Sequence, residues 1–453
     1  MTTALSYIAD LHVHSRHSRA TSPQCNLESL HYWAQLKGVA VVGTGDCTHP
    51  GWLSELQDKL VSADNGLYRL RPELAAPVDR RVPALCRADV QFMISGEISS
   101  IYKRDGAVRK IHSLILMPSL AAARELSRQL ARRGNVHSDG RPILGLDPRD
   151  LLHIMLEIDP AAVLVPAHVW TPWFALLGSK SGFDSLEQCF GDLTTQVFAV
   201  ETGLSSDPPM NWRVASLDGL RLISNSDLHS PKNLGRNANL FGGTPAYDAI
   251  MAALRERHGR AFGGTIEMFP EQGKYHADGH RKCEVRMTPE ESLAADNLCP
   301  ACGKPLTLGV LHRVHELAAR PSGFRLPAAP PAHYIIPLPE VVGELLQRGS
   351  ASQTVERAVW QLLENYGPEL SILLKRPLGD FAGLELPGLR LLSEALRRLR
   401  QCEVIREAGY DGEYGTVRLF ADGELPELAR RRLIASADRL RQRVAGVDAS
   451  SPP

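Results

Sequence analysis

The sequence predicts an α/β protein: a seven-stranded β/α barrel over residues 1–265, a small zinc-binding module over 266–320, and a mainly helical C-terminal region over 321–453. Three observations carry this. Seven short apolar, β-branched runs in the first 230 residues alternate with segments able to hold a helix, the pattern of parallel strands covered on both faces. Each run lies beside a residue of metal-ligand type, and the working residues of a β/α barrel sit at the C-terminal ends of its strands. Further on, Cys299-Pro300-Ala301-Cys302-Gly303 forms a knuckle suited to a structural metal.

Taken in order, the first run, Tyr7-Ile8-Ala9, ends at Asp10-Leu11-His12-Val13-His14-Ser15. Residues i and i+2 of an extended strand point to one face, so His12 and His14 can converge on one ion, with His17 within reach on the outgoing loop. Gly38-Val39-Ala40-Val41-Val42 leads to Gly43-Thr44-Gly45-Asp46, with His49 just beyond. Val90 to Ser95 ends at Gly96-Glu97, and His112 opens the run Ser113-Leu114-Ile115-Leu116. Ala162 to Pro166 ends at Ala167-His168, Val197 to Val200 at Glu201, and Leu220 to Ser224 at Asn225-Ser226-Asp227-Leu228-His229. Asp227 and His229 repeat the i, i+2 geometry of His12 and His14. Taken singly, each of these is a polar residue that the fold could satisfy in other ways; together they favour one metal centre.

The knuckle Cys299/Cys302 supplies two thiolates, and a four-coordinate zinc needs two more ligands. His280 and Cys283 form a His-x2-Cys pair upstream, with His276 as the alternative fourth ligand. A redox Cys-x2-Cys would sit between a strand and a helix in a βαβ setting, which is not found here. Residues 321–331, Pro-Ser-Gly-Phe-Arg-Leu-Pro-Ala-Ala-Pro-Pro, form a connector that cannot be a regular helix. Helical patterns follow Pro339, with two arginine clusters: Arg397, Arg398 and Arg400, then Arg430, Arg431, Arg432, Arg439, Arg441 and Arg443. Such clusters mean either a solvated helix face or contact with phosphate.

The 453 residues carry 51 Lys and Arg against 51 Asp and Glu, so no global basic field announces a nucleic-acid partner, although a local groove matters more than the total. No stretch approaches the ~20 apolar residues of a membrane span, and the N-terminus lacks a basic region followed by an apolar signal core. A cytoplasmic protein without a membrane partner is the expectation. Eight cysteines in a chain of this length do not suggest a disulfide framework.

The ordered set His12, His14, His17, Asp46, Glu97, His112, His168, Asp227 and His229 resembles the metal-binding pattern of the polymerase and histidinol phosphatase (PHP) superfamily, whose members are distorted β/α barrels holding up to three metal ions. A closer resemblance covers most of the chain. Gly43-Thr44-Gly45-Asp46-Cys47-Thr48-His49-Pro50, residues 224–231 (Ser-Asn-Ser-Asp-Leu-His-Ser-Pro) and residues 273–283 (Gly-Lys-Tyr-His-Ala-Asp-Gly-His-Arg-Lys-Cys) are similar to the endonuclease Q family. That family joins a PHP barrel to a zinc-bearing region and a C-terminal extension. It nicks DNA 5′ of deaminated bases such as uracil, hypoxanthine and xanthine, and of abasic sites. One departure from the wider superfamily stands out: Cys47, rather than His, follows Asp46.

The resemblance implies zinc in the module, and zinc, magnesium or manganese in a phosphodiester-hydrolysing centre. Glu97 would bridge two ions; His12, His14 and Asp227 would hold one, His112 and His168 another, with His17, Asp46 and His229 completing a third. Asp227, Glu97 and His229 are the catalytic candidates. DNA with damaged bases is the implied partner, with a helicase or sliding clamp as further partners that the sequence does not decide. An enzyme acting on a stacked base extrudes it, which makes Trp170, Trp173 and Trp212 candidate aromatic walls, and His49 and Arg236 candidate substrate contacts. The rival functions are a histidinol-phosphate-type phosphatase, for which the module and tail lack a purpose, a DNA-binding scaffold, for which open coordination positions do, and a nonspecific nuclease.

Overall fold

The computed structural model describes residues 6–256, 259–381, 384, 386 and 388–428. Its strands in the first part are β1 Ser6–Asp10, β2 Val41–Gly43, β3 Leu60–Ser62, β4 Tyr68–Leu70, β5 Gln91–Met93, β6 Ser95–Arg104 and β7 Ala107–Leu116. They continue with β8 Ile143–Leu144, β9 Val163–Pro166, β10 Ala199–Glu201, β11 Arg221–Ile223, β12 Ala238–Gly242 and β13 Phe262–Met268. Later come β14 Asp278–His280, β15 Val285–Met287, β16 Ala332–Ile335, β17 Ile405–Glu407 and β18 Thr416–Arg418.

Among the described residues the ladders do not run on as seven barrel strands. They form a mixed eight-stranded sheet, β16-β13-β12-β1-β2-β5-β4-β3, a four-stranded sheet, β8-β6-β7-β9, and the parallel pair β10-β11. Side chains of all three nevertheless meet in one interior. Ala9, Val41, Met93, Leu114, Val165, Ala199, Ile223 and Phe241 are buried together. The strands that bear the candidate residues therefore surround a common core, which holds their ends close to one another. Burial of this apolar surface is the driving term, at about 25 cal/mol per Å².

The strand expected to end at Glu97 is two strands. A break after Met93 is followed by β6, ten residues long, which turns at Asp105-Gly106 into β7. Both turn residues have φ > 0 (52° and 75°), as a two-residue hairpin requires. His112 lies within β7 instead of opening it. Helices on the outside are locally well specified. Leu27–Lys37 begins at Asn26, whose side chain accepts from the Ser29 amide, and ends at Gly38 with φ 83°. Pro148–Ile158 has Asp147 as its cap and proline in its first turn.

The C-terminal region is mainly helical, with Leu338–Leu346, Gln353–Tyr366, Glu369–Leu374 and Leu392–Arg400, yet it is not a separate lobe. β16 adds a parallel edge strand to β13, and the β17–β18 hairpin packs beside residues 270–272. Arg397, Arg398 and Arg400 are tied into the chain by ion pairs and hydrogen bonds. Arg397 and Arg398 pair with Glu394, Arg398 also with Glu424, and Arg400 donates to the carbonyls of Leu373 and Ile372. The second cluster, Arg430, Arg431, Arg432, Arg439, Arg441 and Arg443, lies outside the described residues. Among the described residues, no helix is long and apolar enough to cross a membrane.

A buried ion pair, Lys37 Nζ to Glu369 Oε2 at 2.6 Å, joins the first helix to the C-terminal region, and Glu369 Oε1 accepts from the Leu338 amide. Removing one partner strands the other charge in the core. Lys37→Met should therefore destabilise the protein by about 3–5 kcal/mol, read as a lower urea midpoint, whereas the double change Lys37→Met/Glu369→Leu should recover part of that loss.

Candidate metal centre

The centre grows from two chain crossings. Beyond β1, Val13 pairs with Leu228 in an isolated parallel bridge, and the His14 amide donates to the Leu228 carbonyl at 3.1 Å. Val13 and Leu228 point into the core, so the residues on either side of each, His12 and His14 on one chain and Asp227 and His229 on the other, share the opposite face. The second crossing is the β6–β7 hairpin. Glu97 faces Leu114 and Ser99 faces His112, which makes Glu97 and His112 diagonal neighbours on one face of the sheet.

These crossings gather two sets of donor atoms, His12, His14, Glu97 and Asp227 in one, Glu97, His112 and His168 in the other, each set with its atoms within 4.8 Å of one another. Glu97 belongs to both. Its Oε1 lies 2.7 Å from His112 Nδ1 and 3.2 Å from His168 Nε2, and its Oε2 lies 3.3 Å from His14 Nε2 and 3.7 Å from His12 Nε2. His14 Nε2 is 3.0 Å from Asp227 Oδ1. His12 Nε2 is buried with no hydrogen-bond partner, an arrangement that normally costs a kcal/mol or more and that a cation at this point would relieve. Mixed imidazole and carboxylate donors suit zinc, manganese or iron.

The electrostatics ask for a cation. Burial alone would lower His12 and His14, but the carboxylates of Glu201, Glu97 and Asp227 around His12, and of Asp227, Asp46 and Glu97 around His14, raise both well above the usual imidazole range. For Glu97, burial would raise the carboxyl, yet the surrounding histidines and Arg141 outweigh it and keep it ionised. Burial pushes His112 down to about 4, which leaves its ring neutral near pH 7, the form a metal ligand needs.

An outer layer fixes the rings. Glu201, at the end of β10, accepts from His12 Nδ1 at 3.1 Å with both oxygens, so Nε2 is the ring nitrogen that faces the centre. It also accepts from the His168 amide and from Asn225. Asp46 performs the same service for His14 Nδ1 at 3.1 Å, while its Oδ2 accepts from Ser15 and Ser18. Asp46, His168 and Asp227 all have left-handed backbone (φ 49°, 30° and 46°), a cost of about 1–3 kcal/mol each that marks a functional constraint. Cys47 is fully buried with its sulfur packed beside Gly96, where a Cβ would stand 3.1 Å away. The thiol in place of histidine is thus a core residue.

Not every expected residue joins the centre. Asp46 stands behind His14 rather than among the converging donors. His17 turns away to Glu55 (3.1 Å) and lies against His49 with ring centroids 4.4 Å apart and planes tilted by 31°. His229 lies against His14 (4.6 Å) with Nδ1 on the Asp227 carbonyl, beside the first donor set but outside it. His49 caps helix Pro50–Lys59 by accepting from the Trp52 amide, and its Nε2 is 3.1 Å from the His137 carbonyl oxygen. Trp170 is buried with its indole N–H on Asn211, so no substrate reaches it. Trp212 faces the proline connector across a separate cleft. The Arg236 guanidinium donates twice to the Ser226 carbonyl (2.8 and 2.9 Å), bracing the loop that carries Asp227. Trp173 alone of the three tryptophans is exposed near the centre.

In the module, His280, Cys283, Cys299 and Cys302 present four donor atoms within 4.8 Å of one another. His276 does not join them. It is buried in a cleft beside Tyr275 and Val310, so His280 rather than His276 stands with the three cysteines. The knuckle is closed by the Gly303 amide on the Cys299 carbonyl, with Gly303 at φ 70°.

Fold and site together define a metal-dependent hydrolase. Its structural neighbours are endonuclease Q. The lesion-specific endonuclease PfuEndoQ from Pyrococcus furiosus matches with a TM-score of 0.78 and 28% identity over 91% of this chain and 95% of that one. An endonuclease Q in complex with a 27-mer duplex substrate, with an abasic lesion at the active site, matches with a TM-score of 0.77 and 27% identity over 94% and 100%. In sequence, the uncharacterized Bacillus subtilis protein YqxK is 28% identical over 84% of this chain and 89% of its own length. An uncharacterized protein of Methanocaldococcus jannaschii is 29% identical over 58% of this chain, and the match spans a third of that relative's length (33%). No protein-family model matches the chain.

Proposed function

We propose that the protein is a lesion-specific DNA repair endonuclease that hydrolyses the phosphodiester 5′ of deaminated bases (uracil, hypoxanthine, xanthine) or of an abasic site. One observation carries this reading: the likeness to endonuclease Q extends through the module and the C-terminal region, and includes a structure bound to abasic duplex DNA. A phosphatase of small monoesters would need only the residues around the donor sets.

His12, His14, Glu97 and Asp227 would hold one metal ion and Glu97, His112 and His168 a second, with Glu201 and Asp46 orienting the rings. Bound there, the ions would lower the pKa of water and neutralise charge on the phosphate and leaving oxygen. Zinc, manganese and magnesium all suit this use, and zinc suits the Cys3His module. The chain's own part is to place the phosphate and exclude bulk water. His229, part-exposed beside Asp227, is in position to hold or pass a proton at the rim.

An extruded base would enter the cleft beside the centre. A cleft of ≈ 460 Å³ is walled by Trp173, Phe174, Tyr275 and Tyr414. It adjoins the centre directly: Phe174 lies 4.7 Å from the His112 ring, and Thr171 hydrogen-bonds His168. Aromatic walls of this kind are worth about 1–3 kcal/mol per stacked base.

The test is a labelled duplex carrying one deoxyuridine, deoxyinosine or abasic site beside an undamaged control, with manganese or magnesium. The expected product is a single nick immediately 5′ of the lesion that disappears with chelator; release of phosphate from small monoesters without a nick would favour the phosphatase. Asp227→Asn should abolish nicking while leaving the fold and DNA binding intact, and retained turnover would remove Asp227 from the centre. Cys299→Ser with Cys302→Ser should lower bound zinc and thermal stability, whereas His276→Ala should leave zinc stoichiometry unchanged.

A further inference from the structure

Arg141 brings a guanidinium into the centre that no metal-ligand pattern accounts for. Its Nη1 lies 3.0 Å from Glu97 Oε2, the oxygen shared with His12 and His14, while 23% of its side chain remains exposed to solvent. Glu97 is the only hydrogen-bond partner of this guanidinium among the described residues. It thus spans from the buried carboxylate to the open side of the centre, with most of its N–H groups uncommitted.

The loop that carries it is held in place. A Cβ on Gly140 would stand 2.2 Å from Asp46 Oδ2 and 2.6 Å from Ser18 Oγ, so only glycine permits this approach. The Gly140 amide donates to the His17 carbonyl, Asp139 accepts from the Arg19 and Arg141 amides, and the Pro142 carbonyl accepts from Ser99 on β6. Arg141 is therefore pinned both to the chain that bears His12 and His14 and to the strand that bears Glu97.

We propose that Arg141 contacts the non-bridging oxygens of the scissile phosphate and stabilises the charge that gathers there during hydrolysis; this rests on the reading of the centre as a phosphodiesterase site. Once cations occupy the donor sets, the Glu97 lone pairs are taken and the guanidinium is repelled toward the next anion available, the phosphate. Guanidinium suits that partner because its planar fork meets two phosphate oxygens at once and it never loses its charge. A donor already held in place costs no reorganisation when charge develops.

The experiment compares wild type, Arg141→Lys and Arg141→Gln, each checked for folding by circular dichroism. It reads bound manganese, affinity of the manganese-loaded protein for inorganic phosphate, affinity for a deoxyuridine duplex, and the single-turnover nicking rate. The expected result for Arg141→Gln is unchanged manganese, phosphate affinity weakened at least about tenfold, and nicking slowed about 10²–10³-fold, with Arg141→Lys between it and wild type. Loss of manganese in Arg141→Gln would overturn the proposal by showing that Arg141 serves Glu97 instead. So would a wild-type profile for Arg141→Gln. A wild type that binds phosphate through Arg141 but nicks no lesion would leave the Arg141 contact standing and defeat the endonuclease reading. If the wild type binds neither manganese nor phosphate, both fail.

Discussion

Glu97 is a carboxylate with no solvent access, held on β6 against His12 and His14 beyond β1 and His168 beyond β9, and the surrounding groups are arranged around its charge. An isolated carboxylate in such a place would simply take up a proton. Here His112, His168, His14 and Arg141 stand within 3.3 Å of its two oxygens, so the charged form survives. Because one oxygen faces each donor set, the same residue couples the two halves of the centre. The β6–β7 hairpin, which sets Glu97 diagonal to His112, is the element on which that coupling depends.

The layer behind this carboxylate uses the same chemistry in reverse. Glu201 and Asp46 stand outside both donor sets; each lies within hydrogen-bond distance of the Nδ1 of one histidine, which turns that ring's Nε2 inward. The cost appears in the backbone. Asp46, His168 and Asp227 hold left-handed conformations, and Gly203 (φ 65°) leaves the space that His168 fills, since a Cβ there would meet the His168 Cβ at 2.5 Å. Strain of this kind persists only where packing over-determines it. The buried Val13–Leu228 bridge and the common core beneath supply that packing.

The later segments pack against the first part of the chain beside the centre. Asp411, at the tip of the β17–β18 hairpin, accepts from the Arg281 amide and the Thr307 hydroxyl, both in the module. The neighbouring Gly409 and Gly412 amides donate to the carbonyls of Glu271 and Lys274. Through these ties the hairpin delivers Tyr414 to the cleft that also holds Trp173 and Phe174. Module, hairpin and centre are thus joined by hydrogen bonds, and the likeness to endonuclease Q extends over 91–94% of the chain.

Ligand chemistry was legible in the sequence wherever spacing alone fixes direction. The i, i+2 pairs His12/His14 and Asp227/His229 share a face in any extended segment, and the Cys299/Cys302 knuckle needs only a local turn. Those patterns reach His12, His14 and Asp227 of the first donor set and the two knuckle cysteines of the module, whereas Glu97, His112 and His168 follow from strand-end placement and the family resemblance. What sequence could not decide is which polar side chain stands in front and which behind, because that depends on the distance between strands far apart in the chain. Asp46 and His17 have ligand chemistry but look elsewhere, Glu201 ended an expected strand without being counted in the centre, and Arg141 sits on a loop with no periodic signal. The β6–β7 hairpin was likewise hidden, since its serine-rich first strand lacks an apolar run, although Asp105-Gly106 is a strong turn signal in itself. Backbone periodicity along the chain is enough to give the kinds of donor and their local pairing; their order around the centre comes from packing across the shared core, which joins strands far apart in the chain.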